Sequence, residues 1–163
     1  MADLTPKPPS ASATEMVQVV LPNDANPLGY ILGGSVMHLV DIAGAIAAHR
    51  HTRSRVVTAA VDGLRFLHPI KVGDLIILRA RVNAAFRTSL EVQVEVFSEE
   101  ALTGARRLTS HAYLTFVAVD ESGACMPVAP LLLETGDDRQ RHDAAQVRRA
   151  ERLRKRDAEE TIR

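Results

Sequence analysis

The chain has 163 residues, which favours one domain of ordinary size, and 46% of them are hydrophobic, which is enough for an apolar core. Its 20 basic and 20 acidic residues give a formal net charge of +0, so overall charge does not favour binding to nucleic acid or to an anionic membrane. The single cysteine, Cys125, excludes an internal disulfide and favours a reducing compartment, so we expect a cytoplasmic protein.

The N-terminal part of the chain contains a polar segment, a strand and a loop. Residues 1–14 are rich in Pro, Ser, Ala and Thr, which predicts disorder, and they lack the apolar segment of a secretory signal. Alternation of Val17, Val19 and Leu21 predicts a strand over 15–21. The following segment, 21–34, is dense in Pro, Gly, Asn and Asp, which predicts a loop. No stretch approaches 18 apolar residues, so we expect no membrane partner.

A helix is predicted over residues 35–50, because this segment has no proline and is rich in Ala. It would be roughly 24 Å long. Apolar residues lie around most of its circumference, so burial on several sides is expected. Four strand-like segments follow, at 56–69, 74–86, 89–100 and 107–120. The order β-α-β-β-β-β predicts an α+β fold, with an antiparallel sheet wrapped around one central helix.

The last segment, 131–163, is a charged tail in which Arg and Lys are mixed with Asp and Glu. We interpret it as a solvated helix with intrahelical ion pairs. The interspersed acids argue against nucleic acid as a partner of its basic cluster at 148–156. The chain is therefore divided into a disordered segment (1–14), a folded domain (15–130) and a charged helical tail (131–163).

Chemistry-bearing residues coincide near the start of the central helix. Asn26 lies in the preceding loop, Gly33 and Gly34 open the helix, and Asp41 follows about two turns later. A helix N-terminus offers unpaired N–H groups to a developing oxyanion, and glycines let an acyl group approach closely. An aspartate is ordinarily ionised at neutral pH and can serve as base or nucleophile. On the pattern alone, a turn cap at Asn26 and a solvated helix face at Asp41 remain open.

The segment PNDANPLGYILGGSVMHLVDIAGAIAAHRH resembles the signature of hotdog-fold acyl-CoA thioesterases, a group that includes bacterial and brain-type acyl-CoA hydrolases. The family pattern is an Asn, a Gly three residues later, a Gly-Gly pair before the helix and an acid within it. These positions are Asn26, Gly29, Gly33-Gly34 and Asp41. The similarity extends over about residues 15–130.

This resemblance implies hydrolysis of acyl-CoA to a fatty acid and coenzyme A, with no added cofactor because coenzyme A is part of the substrate. It also implies dimers joined edge to edge, assembled as a trimer of dimers. The active site would lie at a subunit interface, where Asn26 of one chain faces Asp41 of its partner. His38, three residues before Asp41, is a candidate for orienting it.

Two groups of residues are candidates for binding the phosphates of coenzyme A. Arg87, Thr88 and Ser89 begin one predicted strand, and Arg106 and Arg107 begin the next. The forked guanidinium of arginine is suited to phosphate. No metal site is predicted, because His49 and His51 have no further ligands at metal spacing.

Two alternative functions have sequence features in common with this chain. A hotdog enoyl-CoA hydratase has the similar motif Asp-x-Asn-Pro-Leu-His, but Gly29 stands where that family has its histidine, and glycine has no side chain to move a proton. A non-catalytic acyl-CoA sensor is the other alternative, although residues 1–14 are too short for the DNA-binding region of hotdog regulators.

Overall fold

The computed structural model describes residues 2–162 and contains one antiparallel sheet with a helix on each face. The strands are β1 (Thr14–Val19), β2 (Arg55–Phe66), β3 (Leu75–Ala85), β4 (Ser89–Glu99) and β5 (Arg106–Val119). The helices are α1 (Gly33–Thr52) and α2 (Gly136–Ile162). One-turn 3-10 helices lie at Pro9–Ala11 and Pro22–Asp24. The predicted element order is confirmed, with strand boundaries and those of α1 shifted by up to three residues and the start of α2 by five.

The strand order in the sheet is β1-β3-β4-β5-β2, which leaves β1 and β2 at the edges. In β4, Leu90, Val92, Val94 and Val96 are buried in the core cluster beside α1, whereas Glu91 and Gln93 contact side chains of α2. This two-residue alternation separates an apolar face from a polar one. The sheet therefore wraps one face around the central helix, as expected for a hotdog fold.

Helix α1 packs its small residues tightly against the sheet. Ala43, Gly44, Ala47 and Ala48 are buried. A Cβ built at Gly44 would lie 3.1 Å from the Phe116 ring, so this glycine lets a large aromatic side chain approach the helix. The predicted burial on several sides is confirmed, because α1 contacts β1 through β5. No helix among residues 2–162 combines the length and the apolar character needed to cross a membrane.

The expectation of disorder for residues 1–14 is wrong within the described part of that segment. Ser12 is fully buried, and its Oγ accepts a hydrogen bond from the Val82 N–H at 3.0 Å. The backbone of Lys7 exchanges hydrogen bonds with the segment 130–132, donating to the Pro130 carbonyl and accepting from the Leu132 N–H. Polar composition did not reveal these contacts, because they join residues distant in sequence.

The interpretation of the tail as a solvated helix is also wrong for much of its length. Helix α2 lies on the outer face of the sheet, where Ala145 is fully buried. The Asp137–Arg141 pair is intrahelical, but Arg148 pairs with Glu91 of β4, and Arg152 with Asp62 of β2. Tertiary ion pairs therefore dock the helix, and its polar pattern reflects a polar surface beneath it.

His51 joins the end of α1 to the C-terminal segment. Its side chain is fully buried, and its Nε2 lies 2.7 Å from the Ala129 carbonyl oxygen. Burial lowers the pKa of His51 below its usual value of 6.5, the bond to Ala129 opposes this shift, and the charge of Lys7 adds to it. The imidazole is therefore held neutral in the folded chain.

We expect His51→Gln to flatten the dependence of stability on pH. Because the folded-state pKa is depressed, the contribution of neutral His51 is complete above pH 6.5 and is lost as the pH falls towards the folded-state pKa. A glutamine amide can donate to the Ala129 carbonyl without titrating in this range. Thermal unfolding of both proteins between pH 8 and pH 5 measures the difference. His49→Gln is the control, because His49 is exposed; an equal pH dependence in wild type and His51→Gln would refute this role.

Candidate active site

The first turn of α1 forms an open helix N-terminus. Leu32 precedes the helix and makes no side-chain cap hydrogen bond, and the first helical bond runs from the Val36 N–H to the Leu32 carbonyl at 3.1 Å. The N–H groups of positions 33–35 therefore lack intrahelical acceptors and carry the positive end of the helix dipole. A Cβ at Gly34 would meet nothing within 4 Å, so the glycine leaves space over this tip.

Asn26 is fixed in the loop by its own side chain. Its Oδ1 accepts hydrogen bonds from the Leu28 N–H at 3.0 Å and the Tyr30 N–H at 3.2 Å. Asn26 lines a cavity together with Gly33 of the helix tip. Because the turn uses the acceptor end of the amide, the Nδ2 group is left as a donor. The turn-capping interpretation and a catalytic interpretation of Asn26 are therefore compatible.

Asp41 lies farther along α1, with an exposed side chain in the single chain. Its Oδ1 accepts a hydrogen bond from the Thr58 hydroxyl at 2.7 Å. Thr58 therefore orients this carboxylate, a role for which His38 was the candidate from sequence. Sequence offered no signal for Thr58, because threonine is common in strands and its pairing with α1 depends on the tertiary fold.

One chain does not bring the two predicted catalytic side chains together. Asp41 is eight residues beyond Gly33, which places it about 12 Å farther along the helix axis. Thr58 is the fourth residue of β2, whereas Asn26 lies near the other end of that strand, in a cavity that Phe66 also lines. The helix tip with Asn26 and the Asp41–Thr58 pair thus form two separate half-sites.

The cavity beside the helix tip has a volume of about 310 Å³. Most of its wall is apolar, with Ile31, Val36, Phe66 and Ile70 among the lining residues. The Phe66 ring lies 3.4 Å from where a Gly33 Cβ would stand, so it covers one side of the tip. This space can take an apolar group next to unpaired N–H donors.

The candidates for phosphate binding lie at opposite ends of the sheet. Arg106 and Arg107 line a pocket of about 330 Å³ with Lys71, and this pocket shares Pro69 with the cavity at the helix tip. Arg106 is paired with Glu99 at 2.7 Å. The segment 87–89 lies at the other end, because Ser89 pairs with Val117 whereas Glu99 pairs with Arg106. Each of these two groups of candidate residues therefore lies near a different half-site of the same chain.

Comparisons with known proteins agree on one family. The model of the thioesterase superfamily matches residues 28–105. An uncharacterized acyl-CoA thioester hydrolase of Bacillus subtilis is 38% identical over 133 residues, which cover 82% of this chain and 77% of the relative. Mammalian relatives, including a cytosolic acyl coenzyme A thioester hydrolase of mouse, are longer, and the chain spans 25–39% of their length.

Solved structures agree over nearly the whole chain. A hexameric acyl-CoA thioesterase without ligand has a TM-score of 0.89 at 39% identity, covering 93% of this chain and 97% of that one. An acyl-CoA hydrolase of Staphylococcus aureus, solved with butyryl coenzyme A and coenzyme A, has a TM-score of 0.85 at 32% identity and covers 96% of both chains.

Three further structures of the S. aureus enzyme carry single replacements by alanine, at an Asn, an Asp and a Thr. Along that chain the Asn and Asp are 15 residues apart, and the Asp and Thr 17 apart. Asn26, Asp41 and Thr58 have the same spacing here. The family match, the sequence similarity and the shared architecture lead to one conclusion: the chain is a thioester hydrolase that belongs to the hotdog-fold acyl-CoA hydrolases of the thioesterase superfamily.

Proposed function

We propose that the protein hydrolyses acyl-CoA at sites built from two copies of the chain. The observation that carries this proposal is the position of the two half-sites, which lie towards opposite ends of the exposed edge strand β2. A two-fold axis across that edge brings the Asp41 half of one copy to the helix tip of the other.

Strand β2 has the properties of an interface. Among residues 2–162 its one neighbouring strand is β5, and Val57, Val61 and Phe66 are 45–53% exposed. A long apolar edge strand is a template for pairing with another chain. The commonest homodimer symmetry places the same strand opposite itself.

Antiparallel pairing of β2 with its copy sets the geometry. A register centred on Asp62 places Thr58 of one chain opposite Phe66 of the other, because these positions are equally distant from the centre. Thr58 holds Asp41, and the Phe66 ring covers Gly33. The carboxylate of one chain then faces the helix tip and the Asn26 amide of its partner.

The assembled site provides the groups that thioester hydrolysis requires. The N–H groups at the helix tip and the Asn26 amide donate to the carbonyl oxygen as negative charge develops there. Asp41 either takes a proton from an attacking water, or attacks the carbonyl carbon to form a mixed anhydride that water then hydrolyses to free the acid and restore the carboxylate. In both routes the C–S bond breaks, and the leaving thiolate of coenzyme A takes up a proton that the water supplies. Thr58 positions the carboxylate. This chemistry uses side chains, backbone N–H groups and water, so we propose that no added cofactor is needed.

We further propose that coenzyme A lies along the pocket of Lys71, Arg106 and Arg107, which adjoins the helix tip. The partner's segment 87–89 approaches the same site, because it lies at the Asp41 end of its own chain. Both groups offer hydrogen-bond donors to phosphate oxygens.

Trimers of such dimers are the proposed assembly. The other edge strand, β1, exposes Val17 and Val19 and is followed by exposed Leu21, which gives a second apolar surface apart from β2. The hexameric thioesterase of similar fold supports this number of subunits. The single cysteine and the cytosolic relative of mouse support a cytoplasmic location.

Thiol release from short, medium and long acyl-CoAs tests the activity directly. We expect one mole of free thiol for each mole of acyl-CoA consumed. Crotonyl-CoA separates the alternative reaction, because loss of enoyl absorbance without free thiol would identify a hydratase. Tight binding of acyl-CoA with no thiol release from any chain length would identify a sensor and overturn the proposal.

A further inference from the structure

The hydroxyl of Ser110 is an unsatisfied polar group in the cavity at the helix tip. The residue is 1% exposed, and its Oγ is buried without a hydrogen-bond partner among residues 2–162. Ser110 lines the same cavity as Asn26 and Gly33. A buried hydroxyl without a partner costs free energy, so the site calls for a ligand atom that can bond to it.

The side chain of Ser110 points to the α1 side of the sheet. Residues two apart on a strand share a face, and Ala112, Leu114 and Phe116 of β5 all belong to the core beside α1. The ring of Phe116 approaches Gly44 of α1, which shows that this face of β5 points towards the helix. Ser110 pairs with Phe66, whose ring covers Gly33. The hydroxyl therefore lies beneath the helix tip and within the space between helix and sheet.

Within this cavity, the hydroxyl of Ser110 differs from that of its neighbour Thr109. Thr109 lines the same cavity and is also buried, but its Oγ1 donates to the Val96 carbonyl at 3.0 Å. The Thr109 hydroxyl is thus bonded within the sheet, whereas the Ser110 hydroxyl has no partner among residues 2–162. The rest of the lining is mostly apolar, which suits a hydrocarbon chain with one polar atom.

We propose that Ser110 is a specificity-determining residue that hydrogen-bonds an oxygen on the acyl chain, so that short hydroxyacyl-CoAs are preferred to their unsubstituted analogues. This inference rests on the proposed function, because it assumes that the acyl group enters this cavity. A volume of about 310 Å³ has room for a four-carbon acyl group that carries one added oxygen. The oxygen would stand on carbon 3 or carbon 4, close to the thioester held at the helix tip.

The test compares kcat/KM for butyryl-CoA, both enantiomers of 3-hydroxybutyryl-CoA, and 4-hydroxybutyryl-CoA. We expect the wild type to prefer one hydroxyacyl-CoA over butyryl-CoA, and to distinguish the two 3-hydroxy enantiomers if carbon 3 carries the bonded oxygen. Ser110→Ala should lower kcat/KM for the preferred hydroxyacyl-CoA about tenfold and leave that for butyryl-CoA within about twofold. Thr109→Val is the matched control, because it removes a hydroxyl that is already bonded; it should leave the ratio of the two values unchanged.

Measurements on the wild-type protein alone can overturn the inference, so the test does not depend on whether a variant folds. Equal kcat/KM for butyryl-CoA and all three hydroxyacyl-CoAs would overturn it while leaving thioester hydrolysis intact. An equal loss for butyryl-CoA and the hydroxyacyl-CoA in Ser110→Ala would do the same. Absence of thiol release from every acyl-CoA would instead overturn the proposed function, and this inference with it.

Discussion

Asn26→Ala and Asp41→Ala are each expected to lose at least a hundredfold in kcat, and mixed oligomers of the two are expected to recover about a quarter of wild-type activity. The loss follows from removing a donor to the oxyanion or the group that activates the attack. The recovery follows from the two half-sites. With random pairing, half of the dimers are mixed, and each mixed dimer holds one intact site of two.

Conservative variants separate the chemistry from the fold. Asn26→Asp keeps an acceptor for the Leu28 and Tyr30 N–H groups but removes the amide donor. Asp41→Asn keeps an oxygen for the Thr58 hydroxyl but removes the negative charge. Both should fold normally and be inactive alone. Subunit exchange is followed by native mass spectrometry of differently tagged chains. Mixed dimers that remain inactive would exclude the shared site, and full activity of Asp41→Ala would remove this aspartate from the mechanism.

Arg148→Ala is expected to lower the free energy of unfolding by about 3–5 kcal/mol. Glu91 is 1% exposed, and Arg148 donates to both of its carboxylate oxygens, at 2.7 Å and 3.1 Å. The guanidinium also stacks on the Tyr113 ring, with 3.6 Å to the ring centroid. Truncation of Arg148 leaves the Glu91 carboxylate beneath α2 with the Asn83 amide but without its charged partner, which costs more than the loss of the contact itself.

The matched control is Arg55→Ala, which breaks the Arg55–Glu121 pair, in which the side chains are 64% and 87% exposed. We expect a change of about 0–1 kcal/mol there, because water solvates the remaining charge. Urea unfolding at one fixed protein concentration measures both variants, since oligomers gain stability with concentration. If the two variants are equally stable, the buried pair of Arg148 and Glu91 does not secure α2.

The regular elements were predictable because their patterns are local. The strand-like segment 89–100 predicted β4, and the proline-free, Ala-rich segment 35–50 predicted α1. The helix begins two residues earlier than predicted, because Gly33 and Gly34 adopt helical geometry despite their low helix propensity. The resemblance to a known family supplied Asn26 and Asp41, for which pattern alone left a structural interpretation open.

The features that were missed depend on contacts between distant residues. The pairing of Ser12 with Val82 spans 70 positions, and composition carries no trace of it. An Arg-rich helix has the same sequence whether its partners are on its own surface or on a sheet, so its pattern favours a solvated helix and does not reveal the contacts of Arg148. Thr58 and Ser110 are ordinary strand residues until the register places one beside Asp41 and the other in a cavity.

The sheet surface beneath α2 is polar, which makes this helix separable from the rest of the fold. Loss of a helix usually exposes an apolar core surface, which promotes aggregation. Here the uncovered side chains would include Asn83, Glu91, Gln93 and Thr115, which water can hydrate. A chain without α2 would thus expose a polar surface that water can hydrate. The Glu91 carboxylate would then be solvated by water instead of being paired with Arg148. Evolution can therefore add or remove such a terminal helix without first redesigning the sheet.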